Sequence, residues 1–212
     1  RGIKPVPGMV TIITQVFVDK NDPAFNNYSK PIGPFYSKEE AEKKKELGWV
    51  MIEDSARGMR RVVPSPRPLK IVEEDIIRHC VDYGYIVIAG GGGGIPVIEK
   101  DGLIDDIEAV IDKDKLSALM ALSLNVDIFI ISTDADYVYL NYKKENEIAL
   151  KEVSLSEIEK YYKEGHFPPG SMGPKIEAAI DYLKGGGNEV IITTPENIVN
   201  AIERKSGTII HK

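Results

Sequence analysis

Short apolar strands alternate with helices from residue 73 to the end of this 212-residue chain. Strand patterns cover residues 85–89, 126–132 and 189–193, and segments with helical periodicity lie between them. Strands that are apolar along their whole length and separated by helices are typical of parallel sheets covered on both faces. The pattern therefore predicts an α/β fold, in which a mainly parallel sheet is sandwiched by helices.

The first third of the chain follows a different pattern. Residues 9–18 are β-branched and apolar and predict one strand with a buried face. Beyond this third, residues 107–110 also look like a strand. Residues 19–34 hold three turn signals that predict a segment without a continuous element: Asp22-Pro23, Lys30-Pro31 and Gly33-Pro34.

A small subdomain is predicted between the two parts. Ser37 and Glu40 form a capping box that opens a short helix, and residues 49–53 and 59–63 have the pattern of a hairpin. We interpret the chain as three parts: residues 1–18 as a strand region, 19–66 as a small protruding subdomain, called the lid below, and 67–212 as an α/β domain. The chain opens with Arg1-Gly2-Ile3-Lys4-Pro5, without Met, and moves at once into a strand, so we expect it to be a fragment.

Composition excludes several classes of protein. The net charge of −6 argues against a general nucleic-acid binder, whose surface is basic. No apolar stretch approaches the roughly 18 residues that a membrane span needs. Cys80 is the single cysteine, so no internal disulfide can form, and the chain is expected to be cytoplasmic.

Two lysines lie at predicted helix starts, where a cation is unfavourable. Lys113 follows Asp112, a plausible N-cap, and Lys175 follows Pro174, which the pattern places at the first helical position. Helix N-termini attract anions, so two ammonium groups there indicate a highly charged anion, such as a polyphosphate, between them. Solvated surface lysines are the alternative interpretation. Asp114 could hold Lys113 in place or bind magnesium.

Other segments add candidate ligand contacts. Five glycines, from Gly90 to Gly94, directly follow a predicted strand, and their backbone N–H groups can turn toward a bound anion. The alternative is a tight connection that requires positive φ.

Asp134 and Asp136 follow the strand that ends at residue 132, which favours nucleotide contact over a simple capped turn. Lys30 lies in the predicted lid, beside prolines that stiffen the segment.

Together these segments resemble carbamate kinases, which belong to the amino acid kinase family, from about residue 9 to the end. The segments that carry the resemblance are residues 22–25 and 30–36 of the lid, its exit at residues 60–66, and the core motifs at residues 91–97, 109–114 and 170–175. The family's N-terminal half has a lysine with a Gly-Gly-Asn-type loop and a second Gly-Asn-Gly-type loop, and this chain contains neither.

The resemblance implies an activity and a set of site residues. The reaction is reversible phosphoryl transfer between carbamoyl phosphate and ADP, giving ATP and carbamate, with Mg²⁺, as in arginine metabolism; a homodimer is implied as well. The catalytic residues implied are Lys113, Asp114, Lys175 and Lys30. Nucleotide contacts would come from the stretch between Thr133 and Leu140 and from the two residues before Pro174: Thr133, Asp134, Asp136, Tyr137, Met172 and Gly173. The substrate side would be bound by Gly91, Gly92, Gly93 and Gly94, and no residue is assigned as a metal ligand.

Two other functions remain open from the sequence. Another amino acid kinase could phosphorylate a different carboxylate, such as acetylglutamate. A non-catalytic nucleotide-binding module is also compatible with the chain, because the N-terminal loops of the family are missing from it.

Overall fold

A computed structural model describes residues 6–54 and 57–212 of the chain. These residues form two compact units, Arg1–Lys113 and Asp114–Lys212. The opening residues 1–5, on which part of the fragment expectation rests, lie outside the described ranges.

The first unit contains a core and the lid. Its strands β1 to β9 are Met9–Thr11, Gln15–Val18, Lys30–Tyr36, Val50–Glu53, Met59–Val63, Pro68–Ile71, Ile86–Ile88, Ile95–Lys100 and Leu103–Asp106. Its helices α1 and α2 are Lys38–Glu46 and Glu74–Asp82, and short 3₁₀ turns cover Pro23–Phe25 and Gly91–Gly93.

The second unit holds the remaining elements. Helix α3, Lys113–Ser123, starts at the boundary, and α4, α5 and α6 are Leu155–Lys163, Met172–Lys184 and Ile198–Ile202, the last preceded by a 3₁₀ turn at Pro195–Asn197. The strands β10 to β15 are Phe129–Ser132, Val138–Leu140, Ile148–Leu150, Glu152–Ser154, Glu189–Thr193 and Thr208–His211.

The division between the two compact units falls at Lys113. Strand β2 leads into the lid, and β6, which leaves the lid, pairs antiparallel with β2 in a sheet of order β6-β2-β8-β9. Because the chain returns to the sheet that it left, residues 67–113 stay in the first unit. Strands β8 and β9 form an antiparallel hairpin that the sequence pattern did not indicate, and β9 ends at Asp106, so residues 107–110 form no strand.

The lid is a three-stranded antiparallel sheet of order β3-β5-β4 with α1 beside it. The predicted β4–β5 hairpin and the Ser37–Glu40 capping box are both present. Contrary to the expectation for residues 19–34, β3 runs through Pro31 and Pro34. This is possible because β3 is an edge strand with an irregular register between Ile32 and Tyr36, where missing N–H groups interrupt no central ladder.

The predicted strand at residues 9–18 is two strands in different sheets. Strand β1 pairs parallel with β7, and β2 pairs parallel with β8. The expected buried face is present in β2, where Val16 and Val18 are buried, but it is absent from β1. Met9 and Ile86 are register partners on one face of the β1–β7 pair and are 64% and 47% exposed.

The second unit contains a four-stranded sheet of order β10-β14-β15-β13. Strands β10 and β14 are parallel, whereas β14 and β15 are antiparallel, so the α/β architecture has sheets of mixed direction. Helix α5 contributes six residues, among them Ile176, Ala179 and Leu183, to a core that also includes Val190 and Ile210. The start of α5 lies near the carboxyl end of β10, since Thr133, Asp134 and Met172 line one cavity. Among the described residues, no helix is long and apolar enough to cross a membrane.

Candidate active site

Backbone conformation explains why most positions of the segment after β7 are glycine. Gly90, Gly92, Gly93 and Gly94 all have positive φ, between 67° and 110°. A Cβ on Gly93 would lie 2.1 Å from the carbonyl oxygen of Ile111, closer than any side chain can approach. Gly91 has neither restriction, because its φ is not positive and nothing lies within 4 Å of the position that a Cβ would take. The tight-connection alternative therefore accounts for four of the five glycines.

Thr14 fixes the start of this segment. Its side chain is buried, and its Oγ1 accepts a hydrogen bond of 2.8 Å from the Gly90 N–H while donating one to the Ile12 carbonyl. The N–H groups of Gly93 and Gly94 close turns onto the Gly90 and Gly91 carbonyls. The N–H groups of Gly91 and Gly92 are thus the candidates for an oxyanion contact.

The lid lysine and the residue before α3 meet within the first unit. Lys30, the first residue of β3, places its Nζ 2.5 Å from Oδ2 of Asp112. The Asp112 side chain is 10% exposed and that of Lys30 is 29% exposed. The sequence pattern indicated only a capping role for Asp112, so its contact with the lid lysine was missed. Lys113 follows as the first residue of α3, as expected.

In the second unit, Lys175 and Asp114 form a mostly buried ion pair. The Lys175 Nζ donates a hydrogen bond of 3.0 Å to Oδ2 of Asp114, and the two side chains are 12% and 11% exposed. Helix α5 begins at Met172, so Pro174 is its third residue and not its first, and Lys175 is its fourth. Proline is tolerated there because the first four helical N–H groups have no partner within the helix. Asp114 neutralises the cation that the helix start disfavours.

A cavity of about 360 Å³ opens beside the start of α5. This volume lies within the range of about 300 to 1,000 Å³ that is usual for small-molecule sites. The lining residues come from the segment after β10, from β11 and the loop that follows it, and from the segment around the start of α5: Thr133, Asp134, Ala135, Tyr139, Tyr142, Lys143, Phe167, Pro168, Ser171, Met172 and Lys175. The cavity therefore combines aromatic walls with two ammonium groups and one carboxylate.

Three of the six predicted nucleotide contacts line this cavity: Thr133, Asp134 and Met172. The other three make different contacts. Asp136 accepts a hydrogen bond of 3.0 Å from Asn197, and Tyr137 packs edge-on against Tyr139. The Gly173 N–H donates to the Pro168 carbonyl, and a Cβ on Gly173 would lie 2.9 Å from that oxygen. Gly173 thus allows the start of α5 to approach the cavity wall closely.

The loop after β11 supplies lining residues that the sequence pattern did not indicate. Tyr142 packs against Tyr139 with ring centroids 5.6 Å apart, and the Lys143 ammonium lies 5.2 Å from the Tyr142 ring centroid. The Lys143 N–H donates to the Glu147 carboxylate, which holds the loop in shape. Burial raises the pKa of the Tyr139 phenol, and the charges of Asp136 and Glu147 raise it further. Several tyrosines in a polar segment were the signal that could have indicated a ligand site here.

The fold and these contacts define an α/β protein with a basic, partly aromatic cavity at the carboxyl ends of its strands. Residues 22–194 match the model of the amino acid kinase family, and the chain belongs to that family. The α/β class and the family resemblance seen in the sequence are thereby confirmed.

Known proteins similar to this chain are carbamate kinases. The carbamate kinase of Pyrococcus horikoshii is 54% identical over 209 residues, which cover 98% of this chain and 66% of that protein. The carbamate kinase of Thermococcus kodakarensis is 52% identical over 210 residues, with the same two coverages. The structure of the Giardia lamblia carbamate kinase bound to AMP-PNP has a TM-score of 0.85 and 45% identity, over 96% of this chain and 65% of that one. This chain thus spans just under two thirds of the length of these relatives.

Proposed function

We propose that this protein is a carbamate kinase, which reversibly transfers a phosphoryl group between carbamoyl phosphate and ADP to give ATP and carbamate. The observation that carries the proposal is the Lys175 ammonium, which a buried Asp114 carboxylate holds at the wall of the cavity. The similarity of about 50% identity to carbamate kinases supports the choice of substrate.

The chemistry needs charge stabilisation more than proton transfer. Both oxygens between which the phosphoryl group moves are already anionic, so no general base is required. A loose phosphoryl transition state spreads negative charge over three oxygens, and ammonium groups held in place stabilise that charge. In this proposal Lys113, Lys175 and Lys30 carry out that stabilisation, and Asp114 orients Lys175.

An adenine nucleotide suits the cavity of the second unit. The Giardia lamblia relative was solved with AMP-PNP, an ATP analogue, which supports a nucleotide site in this family member as well. We propose that Tyr139 and Tyr142 contact the base or the ribose, since aromatic faces stack on nucleobases. Lys143 would then pair with a phosphate, and Thr133, Asp134 and Met172 would complete the wall. Contacts from Asp136, Tyr137 and Gly173 to the nucleotide remain part of the proposal.

The magnesium implied by the resemblance would bind mainly through the nucleotide phosphates. Among residues 6–54 and 57–212, no group of three or more His, Cys, Asp or Glu side chains could hold a metal. Mg²⁺ commonly takes one or two carboxylates together with phosphates and waters, and Asp134 on the cavity wall fits that role. When bound, the ion neutralises phosphate charge. A cytoplasmic homodimer likewise remains a proposal from the resemblance.

The test is a coupled assay for ATP formed from carbamoyl phosphate and Mg·ADP. Acetyl phosphate and acetylglutamyl phosphate serve as competing donors, since a preference for either would point to another amino acid kinase. Calorimetry with ADP gives the second readout: ADP binding without turnover would identify a nucleotide-binding module. Absence of ATP formation with carbamoyl phosphate would overturn the proposal.

A further inference from the structure

The contact between Lys30 and Asp112 joins the lid to the segment that precedes α3. It links residues 82 apart in sequence, and with an Nζ–Oδ2 distance of 2.5 Å the two side chains form a charge-assisted hydrogen bond. Asp112 is next in sequence to Lys113, and bringing a second cation beside Lys113 is electrostatically unfavourable. The carboxylate of Asp112 makes this position favourable for the lid lysine.

The backbone that leads to Asp112 is held in place. The carbonyl of Ile111, its neighbour, packs so closely on Gly93 that only glycine fits there. The Val110 N–H donates a hydrogen bond of 3.0 Å to the Pro64 carbonyl at the exit of the lid. Segment 110–112 therefore lies between the glycine segment on one side and the base of the lid on the other.

Lys30 is the adjustable partner of the pair. Its backbone is fixed, because Lys30 is the register partner of Val63 in the β3–β5 ladder. Its side chain is long and flexible, and the ammonium has three donors, of which the contact with Asp112 uses one. The same ammonium can therefore remain bonded to Asp112 and also donate to an oxygen of a bound phosphate.

We propose that Asp112 is a positioning residue: it holds the Lys30 ammonium where this lid lysine meets the oxyanion substrate. The inference rests on the proposed phosphoryl transfer for its catalytic part, although the contact itself can be tested without activity. Positioning predicts that removing the Asp112 charge impairs the reaction. If Asp112 acted only through its negative charge, removing that charge near an anion site would instead tighten anion binding. The two roles are thus distinguished by the direction of the change.

Lysine acylation followed by mass spectrometry tests the contact directly. In wild-type protein the ion pair should protect Lys30, and Asp112→Asn should speed its acylation about tenfold, which is the loss expected for one buried charge-assisted hydrogen bond. Asp54→Asn is the matched control, because Asp54 pairs with Arg60 inside the same lid at 3.3 Å. That control should leave the Lys30 rate unchanged. Equal Lys30 rates in wild type and Asp112→Asn would overturn the inference, whatever the activity.

Kinetics then test the positioning role. We expect Asp112→Asn to lower kcat with carbamoyl phosphate about tenfold or more, without raising KM for ADP. In a Lys30→Met background the same substitution should have no further effect, because Asp112 acts through Lys30. A full effect of Asp112→Asn in that background, or a lower KM for carbamoyl phosphate with unchanged kcat, would contradict positioning. If the wild-type enzyme forms no ATP, the proposed function fails. The acylation rates would still show whether Lys30 and Asp112 form the ion pair.

Discussion

The Lys175 ammonium on α5 lies 3.0 Å from the Asp114 carboxylate on α3, and both side chains are almost enclosed by protein. Neither charge is well hydrated, so each depends on the other for compensation. The ammonium also lines the cavity, so the pair connects the stability of the second unit with its proposed chemistry.

Replacing Lys175 should remove transition-state stabilisation. We expect Lys175→Met to lower kcat for ATP formation by about 100- to 1,000-fold, the usual effect of losing one preorganised electrostatic group. Lys184→Met is the control, because Lys184 lies at the other end of the same helix and its side chain is 57% exposed. A steady-state assay of both variants checks the expectation. Equal activities would remove Lys175 from the mechanism.

Removing the Asp114 charge should destabilise the fold. Asp114→Asn leaves the Lys175 ammonium without its partner at 12% exposure, and we expect the free energy of unfolding to fall by about 1 to 3 kcal/mol. In the Asp114→Asn, Lys175→Met double variant, part of this loss should be recovered, since no uncompensated charge remains. Urea unfolding of the single and double variants measures the coupling, and strictly additive losses would argue against it.

The glycine segment offers a matched pair of substitutions. Gly93→Ala would bring a Cβ to 2.1 Å from the Ile111 carbonyl at a φ of 110°, so we expect a loss of at least about 2 kcal/mol in unfolding free energy. Gly91→Ala meets nothing within 4 Å and should change stability little. Thermal unfolding of both variants compares them. Similar stabilities would show that segment 110–112 can move away from the glycines.

The aromatic wall should matter for nucleotide affinity. We expect Tyr142→Ala to weaken ADP binding about tenfold, because one base–aromatic stack is lost. Tyr83→Ala is the control, since Tyr83 is 76% exposed in the first unit. Calorimetric titration with ADP gives both dissociation constants. Unchanged affinity in Tyr142→Ala would place the base away from this ring.

The Tyr139 phenol should ionise at unusually high pH. Burial raises its pKa above the ordinary value of 10.0, and the negative charges of Asp136 and Glu147 act in the same direction. A raised pKa means that the folded state disfavours the phenolate. Any stability linked to Tyr139 is therefore intact below pH 10 and is lost as the pH rises above it. Absorbance titration of wild type and Tyr139→Phe should show that the variant lacks one phenol ionisation, and that in wild type this ionisation occurs above pH 10.0.

Local sequence signals predicted local structure well. The predicted capping box at Ser37 opens α1, because it depends only on residues three apart. The hairpin of β4 and β5 also follows from short-range patterning. The strand pattern at residues 9–18 was misleading, because composition does not show that the chain passes from one sheet to another between Thr11 and Gln15.

The sequence by itself determined the family, the α/β class and the residue types available for phosphate chemistry, since these depend on short motifs in order along the chain. Tertiary structure decided which charges meet: Lys30 with Asp112, and Lys175 with Asp114. It also decided that Tyr142 and Lys143 join the cavity wall. Such pairings depend on long-range packing of strands and helices, because ion pairs between residues 61 or 82 positions apart have no local sequence signature.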